Sequence, residues 1–120
     1  MGEGAIVEVG NGTYFSPFTR VIATGRVSIG ARCAIGWSTE ILDTNFHSLS
    51  DESSSTADST SVTLGDPVWL GSHVKVLRGV SIADGCIVAA GSVVTRSAPE
   101  PNCLLAGVPA RIVRRGVEWS

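Results

Sequence analysis

The sequence has little charge, little aromatic character and almost no lysine. Charged residues make up 17% of its 120 residues, aromatic residues make up 6%, and Lys75 is the single lysine. The formal net charge is −2 at pH 7, so the composition gives no sign of the basic surface that a nucleic-acid-binding protein needs. The chain also lacks an apolar run long enough to cross a bilayer. We therefore expect neither nucleic acid nor a membrane span.

Signals for export are also missing. The first residues, Met1 to Gly4, contain neither the basic region nor the apolar region of a secretory leader. The three cysteines, Cys33, Cys86 and Cys103, cannot all pair within one chain. Free thiols are typical of proteins in reducing compartments. These features predict a cytoplasmic protein with reduced cysteines.

A repeat with a period of six residues is the strongest pattern in the chain. Hexads in the second half begin with an aliphatic residue, and their fifth position is small or β-branched in most cases. The first positions are Leu64, Leu70, Val76, Ile82, Val88 and Val94. The same phase occurs at Ile29, Ile35 and Ile41 and, more weakly, at Val9, Phe15 and Val21. It slips by two residues near Val27, which predicts a bulge or an elongated turn there.

Period six has a direct structural interpretation. Side chains alternate along a strand, so the fifth position of one hexad and the first of the next face the same side. The residues between them turn the chain, and Gly, Asn and Asp tolerate the dihedral angles of such turns. Three hexads close a triangular coil of about eighteen residues, as in hexapeptide β-helices. We predict an all-β parallel β-helix that occupies residues 1–120 as one domain, because a β-sandwich would space its strands eight to twelve residues apart.

Several runs of sequence resemble the hexapeptide-repeat acyltransferases, closest to the sugar O-acetyltransferases of the galactoside, maltose and capsule type. The runs span residues 41–49, 68–74, 79–82, 89–96 and 106–111, and the resemblance covers nearly the whole chain. It implies a left-handed coil, which is an exception to the usual right-handed crossover. It also implies a homotrimer with active sites between subunits, and acyl-CoA bound along the outer wall near the C-terminal coils.

The resemblance also implies the chemistry and its catalytic residue. An acetyl group would move directly from acetyl-CoA to a hydroxyl of a sugar or a related small acceptor. His47 matches the family's catalytic histidine, and a neutral imidazole suits a general base at neutral pH. Asp43 and Asn45 lie just upstream, where either side chain can orient the ring. For Asp43 a turn-forming role is an equal alternative, because Asp stabilises turns through its own carboxylate.

Positions for coenzyme A carry over from the same resemblance. They fall into a group beside the pantetheine arm and thioester, a pair further along the cofactor, and a basic group near the nucleotide phosphates. Arginine suits the last task because its planar fork binds phosphate in bidentate fashion. The first group is Ser72 and Ala90, the pair is Thr95 and Arg96, and the basic group is Arg111 and Arg114. The family often has lysine where Arg96 stands, and an ordinary basic C-terminal segment is the alternative for the last group.

Contacts to the acceptor are less well marked. Ser16 stands where the family often has an acceptor-binding Asn. We expect Trp69 to point outward, for subunit packing or for stacking on the acceptor.

Residues 48–61 are polar and of low complexity, which predicts a loop inserted between coils. A short tail should follow the last coil. Trp37 and Trp119 receive structural roles only.

Three other functions remain open at this stage. The first is N-acetyl transfer to an amino sugar, which would use the same site and base. The second is a non-catalytic trimeric β-helix scaffold. The third, a zinc hydrase of the same β-helix class, needs three histidine ligands, whereas this chain has only His47 and His73. We therefore expect no metal, and a surface position for His73.

Overall fold

The computed structural model describes residues 4–44 and 60–119. Its strands are short and follow one another with no α-helix between them in the described ranges. They are Ile6–Val9 (β1), Tyr14–Phe15 (β2), Arg20–Ile22 (β3), Arg26–Ile29 (β4), Ala34–Ile35 (β5), Glu40–Leu42 (β6), Val62–Leu64 (β7), Trp69–Leu70 (β8), Lys75–Val76 (β9), Ser81–Ile82 (β10), Ile87–Val88 (β11), Val93–Val94 (β12), Cys103–Gly107 (β13) and Ala110–Arg115 (β14). No helix within these ranges has the length and apolar character needed to cross a bilayer.

Every third strand joins the same parallel sheet. The first sheet has the order β1-β4-β7-β10, the second contains β2-β5-β8-β11, and the third contains β3-β6-β9-β12. Three consecutive strands therefore form one coil, and four such coils stack along an axis. Between the third and fourth coils the partners lie eighteen residues apart, as in Thr63 with Ser81 and Lys75 with Val93. This spacing confirms the predicted parallel β-helix with three hexads per coil.

The core is a column of apolar side chains on the inside of the coils. First-position residues such as Ile35, Ile41 and Leu70 are completely buried. The predicted fifth-position cysteines, Cys33 and Cys86, are also completely buried, which confirms that they belong to the core. Small residues at the second position of the hexads let the coils approach one another. A Cβ atom on Gly36, for example, would lie 2.6 Å from the carbonyl carbon of Gly71 in the next coil.

The predicted slip near Val27 is an elongated corner. Partners in the first two coils lie twenty residues apart, as in Ile6 with Arg26, instead of eighteen. The extra residues fall between β3 and β4. The insertion predicted at residues 48–61 leaves from the equivalent corner of the second coil, between β6 and β7. Most of that predicted loop lies outside the described residues.

The C-terminal end differs from the short tail expected from the sequence. Strand β13 adds in parallel to β11, and β14 then returns antiparallel to β13 as a hairpin. The expectation of a plain tail was therefore incomplete. The hexad pattern ends before this region, and Gly107, with φ of 113°, starts the turn that reverses the chain. The burial of β14 alternates with a period of two along its first residues, which is typical of a strand on a surface.

Truncation of one valine inside the coils should show where the stability of the fold resides. Val76 is completely buried, and Val113 is 58% exposed on the hairpin. We expect Val76→Ala to lower the free energy of unfolding by about 2 kcal/mol or more, because two methyl groups and their packing are lost. Val113→Ala should cost less than about 0.5 kcal/mol. Urea unfolding would measure both, and equal losses would contradict the core assignment.

Candidate functional site

An open groove of about 520 Å³ runs along the outer wall of the β2-β5-β8-β11 sheet and across the adjoining corner. Its floor consists of small residues and its walls consist of aromatic rings. The floor is formed mainly by Ala34, Gly36, Gly71, Ala89 and Ala90. A Cβ atom on Gly71 would lie 2.7 Å from the backbone nitrogen of Ala90. The close approach of the third and fourth coils under the groove therefore depends on the absence of a side chain at this position.

The groove brings together four residues that the sequence assigned to the site. Ser72 and Ala90, expected beside the thioester, lie in the same lining as Ser16 and Trp69, expected on the acceptor side. Ser16 belongs to the first coil and Ala90 to the fourth. With about 4.8 Å between neighbouring strands, the groove spans roughly 14 Å along the axis. It is long enough to hold parts of two ligands end to end.

Two aromatic residues of the groove were not predicted as site residues. Tyr14 is 62% exposed and Trp37 is 56% exposed, and both line the groove together with Trp69, which is 43% exposed. Trp37, for which only a structural role was expected, therefore also lines the groove. The sequence signal that could have identified Trp37 is its place in a turn of the second coil, because a large ring at a turn does not fit into the core. The outward orientation expected for Trp69 is confirmed.

A smaller cavity of about 220 Å³ lies beside the fourth coil and the hairpin. Arg96 and Arg111 both line it, together with Pro99, Leu105 and Ile112. These two arginines are fifteen residues apart in sequence, and the return of β14 brings them to one cavity. Thr95 and Arg114 are exposed nearby in sequence but do not line this cavity. The structure thus brings Arg96, of the pair expected further along the cofactor, to the same cavity as Arg111, which was expected near the nucleotide phosphates.

Asp43 is completely buried, and its carboxylate accepts hydrogen bonds from the elongated corner of the first coil. Its Oδ1 atom accepts hydrogen bonds from the backbone N–H of Thr24 (2.7 Å) and from the Thr24 hydroxyl (3.1 Å). Its Oδ2 atom accepts one from the backbone N–H of Gly25 (2.7 Å). Of the two roles considered for Asp43, these contacts support the turn-forming one. His47 and Asn45 lie outside the described residues.

His73 and the buried cysteines are not part of the groove lining. His73 is exposed at a corner, as expected, and its backbone N–H donates to the carbonyl of Trp37 (2.7 Å). Burial raises the pKa of the Cys33 and Cys86 thiols above the usual cysteine value, so neither thiol is activated as a nucleophile. No three His, Cys, Asp or Glu side chains cluster in a metal-binding arrangement within residues 4–44 and 60–119.

Known proteins share both the repeat and the architecture. Residues 61–96 match the family model described as bacterial transferase hexapeptide (six repeats). In this stretch the chain is similar to the hexapeptide-repeat transferases. Escherichia coli (strain K12) WbbJ, named as a candidate O-acetyl transferase of lipopolysaccharide biosynthesis, is 36% identical over 95% of this chain and 62% of its own length. The family and its solved members agree with the left-handed form of the coil that the resemblance implied.

Two solved structures have the same fold over nearly the whole chain. The polySia-specific acetyltransferase NeuO superposes with a TM-score of 0.82 at 28% identity, over 95% of this chain and 54% of NeuO. The acetyltransferase VCA0836 from Vibrio cholerae, solved in complex with acetyl coenzyme A, gives 0.77 at 30% identity over 91% of this chain and 60% of VCA0836. The chain spans less than two thirds of the length of each of these three proteins.

Removal of the Asp43 carboxylate should destabilise the elongated corner. In Asp43→Ala the N–H groups of Thr24 and Gly25 lose their acceptor, and we expect a loss of about 1–3 kcal/mol in the free energy of unfolding. The control is Glu8→Ala, which breaks the exposed Arg26–Glu8 ion pair (2.6 Å) and should cost at most about 1 kcal/mol. Chemical denaturation measures both. A cost for Asp43→Ala no larger than that of the control would contradict the turn-forming role.

The buried thiols predict a specific dependence of stability on pH. Because their pKa values are raised in the folded state, these thiols stay protonated when those of the unfolded chain ionise near pH ~8.5. Their contribution to stability is therefore present below that pH and is lost as the pH rises above it. Urea unfolding between pH 7 and pH 10 would measure the decrease. A disulfide-exchange reagent should modify all three cysteines after unfolding and none before it.

Proposed function

We propose that this chain is the acyl-CoA-binding β-helix of an O-acetyltransferase that moves an acetyl group from acetyl-CoA to a hydroxyl of a sugar. The single observation that carries the proposal is the shared groove. Ser72 and Ala90, matched to the thioester end of coenzyme A, line it together with Ser16 on the acceptor side. A direct transfer needs both ligands in one continuous site, and this groove is long enough for the two reacting ends.

The cofactor is proposed to extend from the groove toward the C-terminal hairpin. The small side chain of Ala90 lets the pantetheine arm approach the backbone, and Thr95 follows further along. The cavity lined by Arg96 and Arg111 is proposed to hold the following part of the cofactor. Two guanidinium groups suit the phosphates of the nucleotide because each can donate two parallel hydrogen bonds. Arg114 on β14 adds a third basic group close by.

The catalytic step is a direct acyl transfer with His47 as general base. The imidazole takes the proton of the acceptor hydroxyl while the hydroxyl oxygen attacks the thioester carbonyl carbon. The carbon–sulfur bond then breaks, and the imidazolium returns its proton to the leaving thiolate of coenzyme A. The Ser72 hydroxyl or a backbone N–H of the groove donates to the oxyanion. No protein nucleophile is needed, which agrees with the buried thiols.

A sugar acceptor is supported by the relatives and by the chemistry of the groove. WbbJ is named for lipopolysaccharide biosynthesis and NeuO for specificity toward polySia. In this chain the rings of Tyr14 and Trp37 and the hydroxyl of Ser16 line one end of the groove. Aromatic faces beside a hydroxyl suit a ligand with both C–H faces and polar edges. We further propose a cytoplasmic homotrimer in which each site lies between two subunits.

A thiol-release assay tests the proposal. Purified protein with acetyl-CoA and a panel of sugars and amino sugars should release coenzyme A only when a hydroxyl acceptor is present. We expect His47→Ala to lower the acceptor-dependent rate about 10²- to 10⁴-fold without loss of coenzyme A binding. His73→Ala is the matched control because His73 is exposed outside the groove lining, and it should retain the rate.

Other results would change the assignment in distinct ways. A His47→Ala rate equal to that of the wild type would remove the general-base role from this residue. Release that requires an amine acceptor would indicate N-acetyl transfer. Absence of coenzyme A binding would leave the scaffold function, and a stoichiometric tightly bound metal would favour the hydrase.

A further inference from the structure

Trp69 has a second aromatic contact besides its place in the groove. The centroid of its ring lies 5.8 Å from that of Trp119, with an angle of 49° between the two planes. Tilted pairs at this distance are attractive because the positive edge of one ring faces the negative face of the other. Trp119 itself does not line the groove. Any effect of Trp119 on the groove is therefore exerted through Trp69.

The segment that carries Trp119 is anchored before it reaches the ring. Strand β14 ends at Arg115, and Gly116 turns the chain with a positive φ of 69°. The N–H of Val117 then donates to the carbonyl of Asn102 (2.9 Å). These backbone contacts do not involve the indole. Truncation of Trp119 should thus remove the ring and leave the path of the segment in place.

The neighbours of Trp69 in the sheet leave its ring weakly constrained. Its backbone partners are Ala34 in the coil before and Ile87 in the coil after. Ala34 has a single methyl group, so on that side no large side chain limits the rotation of the indole. Trp69 lies in the two-residue strand β8, next to the glycine-containing floor of the groove. Trp119, on the segment after β14, adds a contact from outside the sheet.

The buried N–H of Trp119 shows which part of its ring matters. The Nε1 atom is buried and has no hydrogen-bond partner. An unsatisfied buried donor is unfavourable, so the position of the ring is not explained by a hydrogen bond. The aromatic contact of this ring is with Trp69. A ring of similar shape without the N–H group should serve as well.

We propose that Trp119 is a positioning residue that fixes the Trp69 indole as a wall of the groove. Trp69 held in one orientation presents a preformed surface to the ligand, and a preformed surface binds more tightly than one that must be ordered on binding. Trp69 lies on the third coil beside Gly71 and Ser72, so under the proposed function its ligand is acyl-CoA and not the acceptor expected from the sequence. The nature of that ligand therefore rests on the proposed function. The packing of the Trp119 indole against the Trp69 indole does not rest on that function.

Binding of coenzyme A and acetyl-CoA to two variants provides the first test. We expect Trp119→Ala to raise the Kd about 3- to 10-fold, and Trp119→Phe to stay within about 2-fold of the wild type. Val113→Ala is the control, because it truncates an exposed side chain on the same hairpin and should leave the Kd unchanged. An unchanged Kd in Trp119→Ala would overturn the proposal, and so would an equal loss in Trp119→Phe.

A second measurement needs no ligand. The chain has three tryptophans, so Trp69 becomes the single one in Trp37→Phe combined with Trp119→Phe or Trp119→Ala. We expect higher acrylamide quenching and lower fluorescence anisotropy of Trp69 in the double variant with Trp119→Ala than in the one with Trp119→Phe. Identical values would overturn the proposal. If the wild type binds no coenzyme A, the proposed function fails, whereas this measurement still decides whether Trp119 restrains Trp69.

Discussion

Each coil is held to the next by backbone hydrogen bonds that run along the axis of the solenoid. The N–H of Ala34 donates to the carbonyl of Val68 (3.0 Å), and the N–H of Trp69 donates to that of Cys86 (3.0 Å). This ladder fixes the distance between coils and places equivalent hexad positions directly above one another. Inward positions become the core, and outward positions become columns on the surface. The groove is one such surface, assembled from hexads of four different coils.

Extra residues can enter this ladder only at a corner, where the strands have already ended. The first coil accommodates two of them between β3 and β4, and the second accommodates the long insertion between β6 and β7. Such a corner loses backbone partners, and Asp43 replaces them for Thr24 and Gly25 with its two carboxylate oxygens. Asp43 directly follows β6, so the residue after the last strand of the second coil also closes the corner of the coil before it.

The period of the hexads made the coils, the buried cysteines and the elongated corner predictable, because these depend on residues close in sequence. Features that depend on contacts between coils were harder to derive. Trp37 looked structural because nothing in its own hexad shows that Tyr14 lies one coil away along the same groove. The role of Asp43 stayed ambiguous because its partner Thr24 is nineteen residues away. The hairpin was missed because β14 follows a period of two and pairs antiparallel.

The separation of inward and outward positions has a consequence for the proposed activity. Under that proposal, the acceptor end of the groove is formed by Tyr14, Ser16 and Trp37 on the first two coils, and the donor end by residues of the third and fourth coils. None of the three acceptor-side residues is among the buried core of the solenoid. Substitutions there can alter the acceptor without disturbing the core or the donor end. Under the proposed function, the repeat is a constant frame for acyl-CoA, and the outward side chains of its first coils select which hydroxyl is presented to the thioester.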